Sequence, residues 1–242
     1  MEMRLTKLSL ACLVLGGSAL LTACSGGGGG GSTSTGGSDL TLRGTAATGL
    51  PVVGPVTAIC KTGAGTATSN LDGSYTVVIS NGVGPCLLAI TPTGGVTLYS
   101  VTSGSGATQI ANITPMTNLL VGYLRNVPGM SAADPVAWFA LPAVKALLAD
   151  TAALTGRIST DFIPAMKALL PSLSLADPGF LFTAFVASPT SSATDADLEK
   201  LKTGGIVTST GAPSTAATSS LAAGASNDSP VVTPTGASGA GN

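Results

Sequence analysis

The chain has 242 residues, 44% of them hydrophobic and only 9% charged, with ten Lys/Arg against eleven Asp/Glu and no histidine. A near-neutral chain without a basic cluster has little to neutralise a phosphate backbone, so no nucleic-acid partner is expected. Without histidine there is no Ser-His-Asp or Cys-His triad, no histidine metal site and no imidazole base.

The chain begins with Arg4 and Lys7, an apolar run from Leu8 to Leu20, then Leu21-Thr22-Ala23-Cys24, Ser25 and the glycines Gly26 to Gly31. A basic start, a short apolar run and small residues before Cys24 predict a signal peptide over residues 1–23, because a membrane span needs about 20 apolar residues. Leu-Thr-Ala-Cys resembles the lipobox of bacterial lipoproteins. The resemblance implies that Cys24 is diacylglycerylated, becomes the first residue after cleavage and is usually acylated on its new amine, so that membrane lipid is a partner through Cys24. Two acyl chains already suffice for stable anchoring. Ser25 resembles the pattern of outer-membrane sorting, which implies an exported protein on the outer membrane with its face, periplasmic or surface, open. An ordinary signal peptide with a chance cysteine, or an uncleaved helix, are the alternatives.

Cleavage leaves 219 residues with eight basic and ten acidic side chains, enough for one or two small domains. Residues 24–38 form the lipidated cysteine and a Gly/Ser/Thr tether, which lacks the lysine and preceding strand of a phosphate loop. Of the four cysteines, Cys12 leaves with the signal peptide and Cys24 carries lipid, so Cys60 and Cys86 remain. An even number in an oxidising compartment predicts a disulfide between them, worth about 3 to 4 kcal/mol in the chain-entropy model; two buried free thiols are the alternative. Two thiols cannot complete a zinc shell, and no cofactor is expected.

Residues 39–111 carry short β-branched runs between turn residues: Leu40 to Arg43, Val56 to Cys60, Tyr75 to Ser80, Cys86 to Thr91 and Thr97 to Thr102. That pattern predicts an all-β sandwich. Asn70-Leu71-Asp72-Gly73 supplies turn chemistry, and Tyr75, Val77 and Ile79 follow at period two. Arg43-Gly44, Gly49-Leu50-Pro51, Gly54-Pro55-Val56, Thr68 and Asp72-Gly73-Ser74-Tyr75 together resemble the carboxypeptidase regulatory-like domain, a small transthyretin-like β-sandwich. The likeness covers about 40 of the 242 residues, and Pro55 stands where that family usually has alanine. Pro85-Cys86-Leu87-Leu88, Leu98-Tyr99-Ser100-Val101 and Asn112-Ile113-Thr114-Pro115-Met116-Thr117 resemble an uncharacterised group of proteobacterial lipoproteins. That resemblance implies a sandwich joined to a helical region and brings no catalytic residue.

Residues 112–203 are expected to be α-helical. Thr114 can cap a helix with Pro115 at its first position, and Met116, Leu119, Leu120, Tyr123 and Leu124 form one stripe up to Pro128-Gly129. Leu141 to Leu148 is echoed by Ile163 to Leu170, with Pro142 and Pro164 each expected at a helix start. Phe180 to Ala187 is a further buried segment, and Thr194 with Asp197 is expected to cap a last helix through Lys202. Residues 204–242 return to Gly, Ser, Thr, Ala and Pro and are expected to be a disordered tail, with a glycosylated stalk or interaction tail as alternatives.

Catalytic candidates are few. Asp134, Asp150, Asp161 and Asp177 could supply an acid/base pair, but each lies beside a proline or near a helix end, where capping is the expected role. Tyr99, Tyr123 and Trp138 could line a sugar-binding face, with core as the alternative. The expectation is therefore an α+β, non-enzymatic, lipid-anchored envelope protein with a structural or protein-interaction role. The alternative is a carbohydrate- or peptide-binding module, which predicts a concave site with convergent polar and aromatic groups.

Overall fold

Strand β1, Leu40–Thr45, turns Leu40 and Leu42 inward while Arg43 is exposed, the alternation of a half-buried strand. Strand β2, Pro55–Thr62, opens on a proline and buries Val56, Ala58 and Cys60. Strand β3 is Ala64–Thr68 and strand β4 is Ser74–Ile79, with Tyr75, Val77 and Ile79 buried as the period-two pattern predicts. The turn before β4 is closed by Gly73 at φ 80°, while Asp72 Oδ1 accepts the Ser74 amide at 2.9 Å. Strand β5 is Val83–Ile90, β6 is Leu98–Val101 and β7 is Thr108–Ile110. The computed structural model describes residues 38–188 and 192–230 of the chain.

The strands form two sheets, ordered β4-β1-β7 and β3-β2-β5-β6. All pairings are antiparallel except β1 with β7. The inner faces of both sheets share one apolar core that includes Leu42, Val77, Val56, Leu88 and Ile90. Cys60 lies directly opposite Cys86 in the β2–β5 pairing, and the two form a disulfide across a sequence separation of 26. Gly44 of β1 marks a close approach: a Cβ there would fall 1.9 Å from the Ala111 carbonyl oxygen, which also accepts the buried Tyr75 hydroxyl. Burial pushes that phenol's pKa well above its usual range.

Helix α1, Pro115–Leu124, begins at a capping box in which Thr114 and Thr117 each accept the other's amide through a side-chain oxygen. Short helices α2, Pro135–Ala140, and α3, Pro142–Ala149, follow, each with proline at the start. Helix α4, Thr151–Arg157, runs through a π-helical turn at Ile158–Phe162 into α5, Ile163–Leu169. Pro164 is the second residue of α5, at a helix start as expected, but α5 continues the course of α4 through the π turn. Proline removes an amide and crowds the preceding turn, and a widened π turn lets one helical course continue past it. Helix α6 is Gly179–Phe182, and α7 is Ala193–Thr203. The cap of α7 is Ser192, whose hydroxyl accepts the Asp195 amide at 3.1 Å, rather than Thr194 with Asp197. Asp197 is buried instead, accepting the Ser174 amide at 2.9 Å and pairing with Lys200 at 2.8 Å.

The stretch from residue 204 to 230 is folded, against the expectation of disorder over 204–242. Val207 bridges to Pro213, and helix α8, Thr215–Ser226, buries Ala217, Leu221 and Ala225. An Ala/Ser/Thr helix has little apolar pattern of its own and is held by what it packs on, here α1 and α5. The helices share a second core with Trp138, Phe162 and Leu120 at its centre. Leu87 of β5 and Val101 of β6 belong to that core, while Leu88 and Leu98 belong to the other. The β3-β2-β5-β6 sheet thus divides two cores within one compact unit. The expected signal peptide, Cys24, almost all of the tether and residues 231–242 lie outside the described residues. Among the described residues no helix is long and apolar enough to cross a membrane.

Candidate functional site

The sheet and the helices are joined at β6, whose outer edge faces α1. Thr117 Oγ1 donates to the Tyr99 carbonyl at 3.0 Å, and Asn118 Oδ1 accepts the Tyr99 amide at 3.2 Å. Two α1 side chains therefore satisfy backbone groups that an edge strand would otherwise leave open. Asn112 fixes a second junction, between β1 and the α6 segment. Fully buried, it accepts the Thr45 amide at 3.1 Å and donates to the carbonyls of Phe180 and Thr183 at 3.1 and 2.7 Å. The Asn112-to-Thr117 motif is thus structural in each polar residue: a staple, a cap and a strand cover.

Along this seam runs a cleft of about 280 Å³ between β6, α1 and the C-terminal segment. Tyr99 stands at one side, Asn118, Gly122 and Arg125 line the α1 side, and Thr218 and Leu221 of α8 close the other. Positions 118, 122 and 125 share one helix face by spacing, away from the buried Leu120, Tyr123 and Leu124. Gly122 opens the space, since a Cβ there would meet nothing within 4 Å. Leu119, Val121 and Pro213 complete apolar walls. Arg125 is held in place by the carbonyls of Ala132, at 3.1 Å from Nη2, and Ala133. Among the described residues no carboxylate pairs with it.

The four candidate carboxylates are engaged locally. Asp134 Oδ1 caps α2 through the amides of Val136 and Ala137, at 3.0 and 2.9 Å. Asp150 caps α4 through the Ala153 amide at 3.0 Å, and Asp177 accepts the Gly179 amide at 2.7 Å. Asp161 is no cap: it lies in the π turn, 3.4 Å from Arg157, and accepts the Thr160 hydroxyl. Of the three aromatic candidates only Tyr99 lines the cleft. Tyr123 and Trp138 are core residues, and the Tyr123 hydroxyl donates to Asp228 Oδ2 at 2.6 Å. Burial, then that hydrogen bond and charge, raise the Tyr123 pKa far above its usual value. Among the described residues no group of three or more His, Cys, Asp or Glu side chains is placed to hold a metal.

Asn118, Gly122 and Arg125 were not singled out in the sequence, although their i, i+4, i+7 spacing opposite the apolar stripe of α1 carries the signal. The α8 contribution had none, because its composition reads as a tail. Comparison with protein-family models, with curated proteins and with solved structures returns no match.

Proposed function

We propose that the chain is a lipid-anchored protein of the bacterial outer membrane, without a catalytic task, that receives a ligand in the cleft between β6, α1 and α8. In this reading residues 1–23 are a signal peptide, Cys24 carries the lipid, and the paired sheets are a transthyretin-like sandwich of the carboxypeptidase regulatory-like kind. The observation that carries the binding role is the cleft itself, where an aromatic ring, an amide and a guanidinium with no carboxylate partner among the described residues converge over apolar walls. The engagement of Asp134, Asp150 and Asp177 in capping amides supports a non-catalytic task. A protein-interaction role is favoured by a separate observation, the loop before β2, where Leu50 and Val53 are 59% and 44% exposed.

Ligand-observed NMR of the intact protein against a set of small neutral and acidic fragments tests the binding role. Fragments that bind the native chain and are lost in Gly122→Leu, whose side chain fills the cleft, are expected. Binding that is indifferent to that substitution, or no binding at all, defeats it. Intact mass and tandem spectra of the N-terminal peptide from membrane-purified protein test the anchor, and an unlipidated chain defeats that part.

A further inference from the structure

We infer that the ligand of this cleft carries a carboxylate on a compact hydrocarbon body. The inference rests on the reading of the cleft as a ligand site. It follows from which polar groups there already have partners. The hydroxyls of Thr97 and Thr218 are engaged, the first with Thr91 Oγ1 at 2.9 Å and the second with the Ser214 carbonyl at 3.0 Å. Asn118 Oδ1 accepts the Tyr99 amide. Arg125 directs Nε and Nη2 to the carbonyls of Ala132 and Ala133.

Three groups have no hydrogen bond among the described residues: Nδ2 of Asn118, Nη1 of Arg125 and the Tyr99 hydroxyl. All three can donate, and two of them only donate. No acidic side chain lines the cleft. A ligand that satisfies it must bring acceptors, and a carboxylate brings the most in the smallest volume while matching the guanidinium charge. The carbonyl end of α1 lies at Arg125, its C-cap, and opposes an anion with about half a charge. The whole charge of the guanidinium outweighs it. Asp134, the nearest acid in sequence to the Ala133 carbonyl, turns its Oδ1 to the amides of α2 and makes no ion pair with Arg125. The rest of the cleft is Leu119, Val121, Gly122, Pro135, Pro213 and Leu221, which fit a branched aliphatic body rather than a polyhydroxylated one. A free organic acid and the C-terminal residue of a peptide share this chemistry.

The test is an NMR titration of the intact protein with N-acetyl-leucine, with its uncharged amide, and with a tetrapeptide ending in leucine. The acid is expected to shift the amides of Tyr99, Asn118 and Gly122 and to bind at least tenfold more tightly than the amide probe. Arg125→Gln should bring the acid down to the level of the amide probe. Gly122→Leu, which keeps the arginine and its carbonyl contacts, should abolish both. Tighter binding of the tetrapeptide assigns a peptide C-terminus, and equal or weaker binding assigns a free acid. Equal affinity for acid and amide overturns the carboxylate while leaving the cleft as a site. If no acid binds but neutral fragments sensitive to Gly122→Leu do, the inference falls alone; if none of these binds, both readings fall. Should Arg125→Gln fail to fold, the acid and amide probes on the native chain still decide.

Discussion

Asn112 has no exposed surface, and its single side-chain amide serves three backbone groups from two parts of the chain. Alanine there strands the Thr45 amide and the carbonyls of Phe180 and Thr183, at about 1 to 3 kcal/mol for each group that water cannot reach. Asn112→Ala is therefore expected to cost about 3 kcal/mol in urea unfolding, far beyond a change at an exposed asparagine such as Asn126. Asp195 presents the opposite case, a buried carboxylate with neither oxygen hydrogen-bonded among the described residues. Desolvation raises its pKa, neighbouring Glu199 adds to the shift and Lys202 partly offsets it. A folded-state pKa above the unfolded value means that the native chain holds the proton more tightly. Its contribution to stability is present below the unfolded pKa of about 4 and is lost as pH rises through the folded value. Native protein should thus gain melting temperature relative to Asp195→Asn as pH falls from 7 to 4. A gap that stays constant, or moves the other way, counts against a raised Asp195.

At the level of elements, the Cys60–Cys86 bond joins β2 to β5 at the centre of the four-stranded sheet. Closing a loop of 26 residues is worth about 3 kcal/mol through the unfolded chain. A Cys60→Ala/Cys86→Ala protein should lose about that much, and reductant should lower the urea midpoint of the native chain but leave the double variant unmoved. The bond was legible from the even number of cysteines left once Cys12 and Cys24 are set aside, together with the expectation of export. So were the strands with β-branched alternation, and α1 with its threonine-proline start. Strands β3 and β7 and helix α8 were not, and α2 and α4 were not singled out within the expected helical region. Ala64–Thr68 and Thr108–Ile110 are too short or too small in side chain to show a period, and their pairing partners define them. Helix α8 reads as linker because Ala217, Leu221 and Ala225 form a stripe only once α1 and α5 supply the opposite face. The Pro164 echo was legible as the start of α5 but not as part of a longer course, because proline is equally compatible with a π turn just before it.

For the molecule as a whole, the C-terminal segment closes both the helical core and the cleft. Arg157 ties it down, 3.3 Å from Asp228 and 3.1 Å from the Ser229 carbonyl, while Tyr123 donates to the same Asp228 carboxylate. Leu221 is 3% exposed and belongs to the helical core, yet it also walls the cleft. Stability and the shape of the cleft are therefore coupled through one helix. Leu221→Ala should cost about 2 kcal/mol or more, the usual loss for a buried leucine, and should also weaken any cleft ligand. Ending the chain at Thr203 removes Leu221, Thr218, Pro213 and Asp228 together. It uncovers parts of α1 and α5 while the disulfide and the paired sheets remain. Such a chain should keep its strand signal in circular dichroism, bind a dye for apolar surface, melt several degrees lower and lose fragments sensitive to Gly122→Leu. A truncated chain that melts like the native one would show that the two cores stand without α8 and that its burial contributes little.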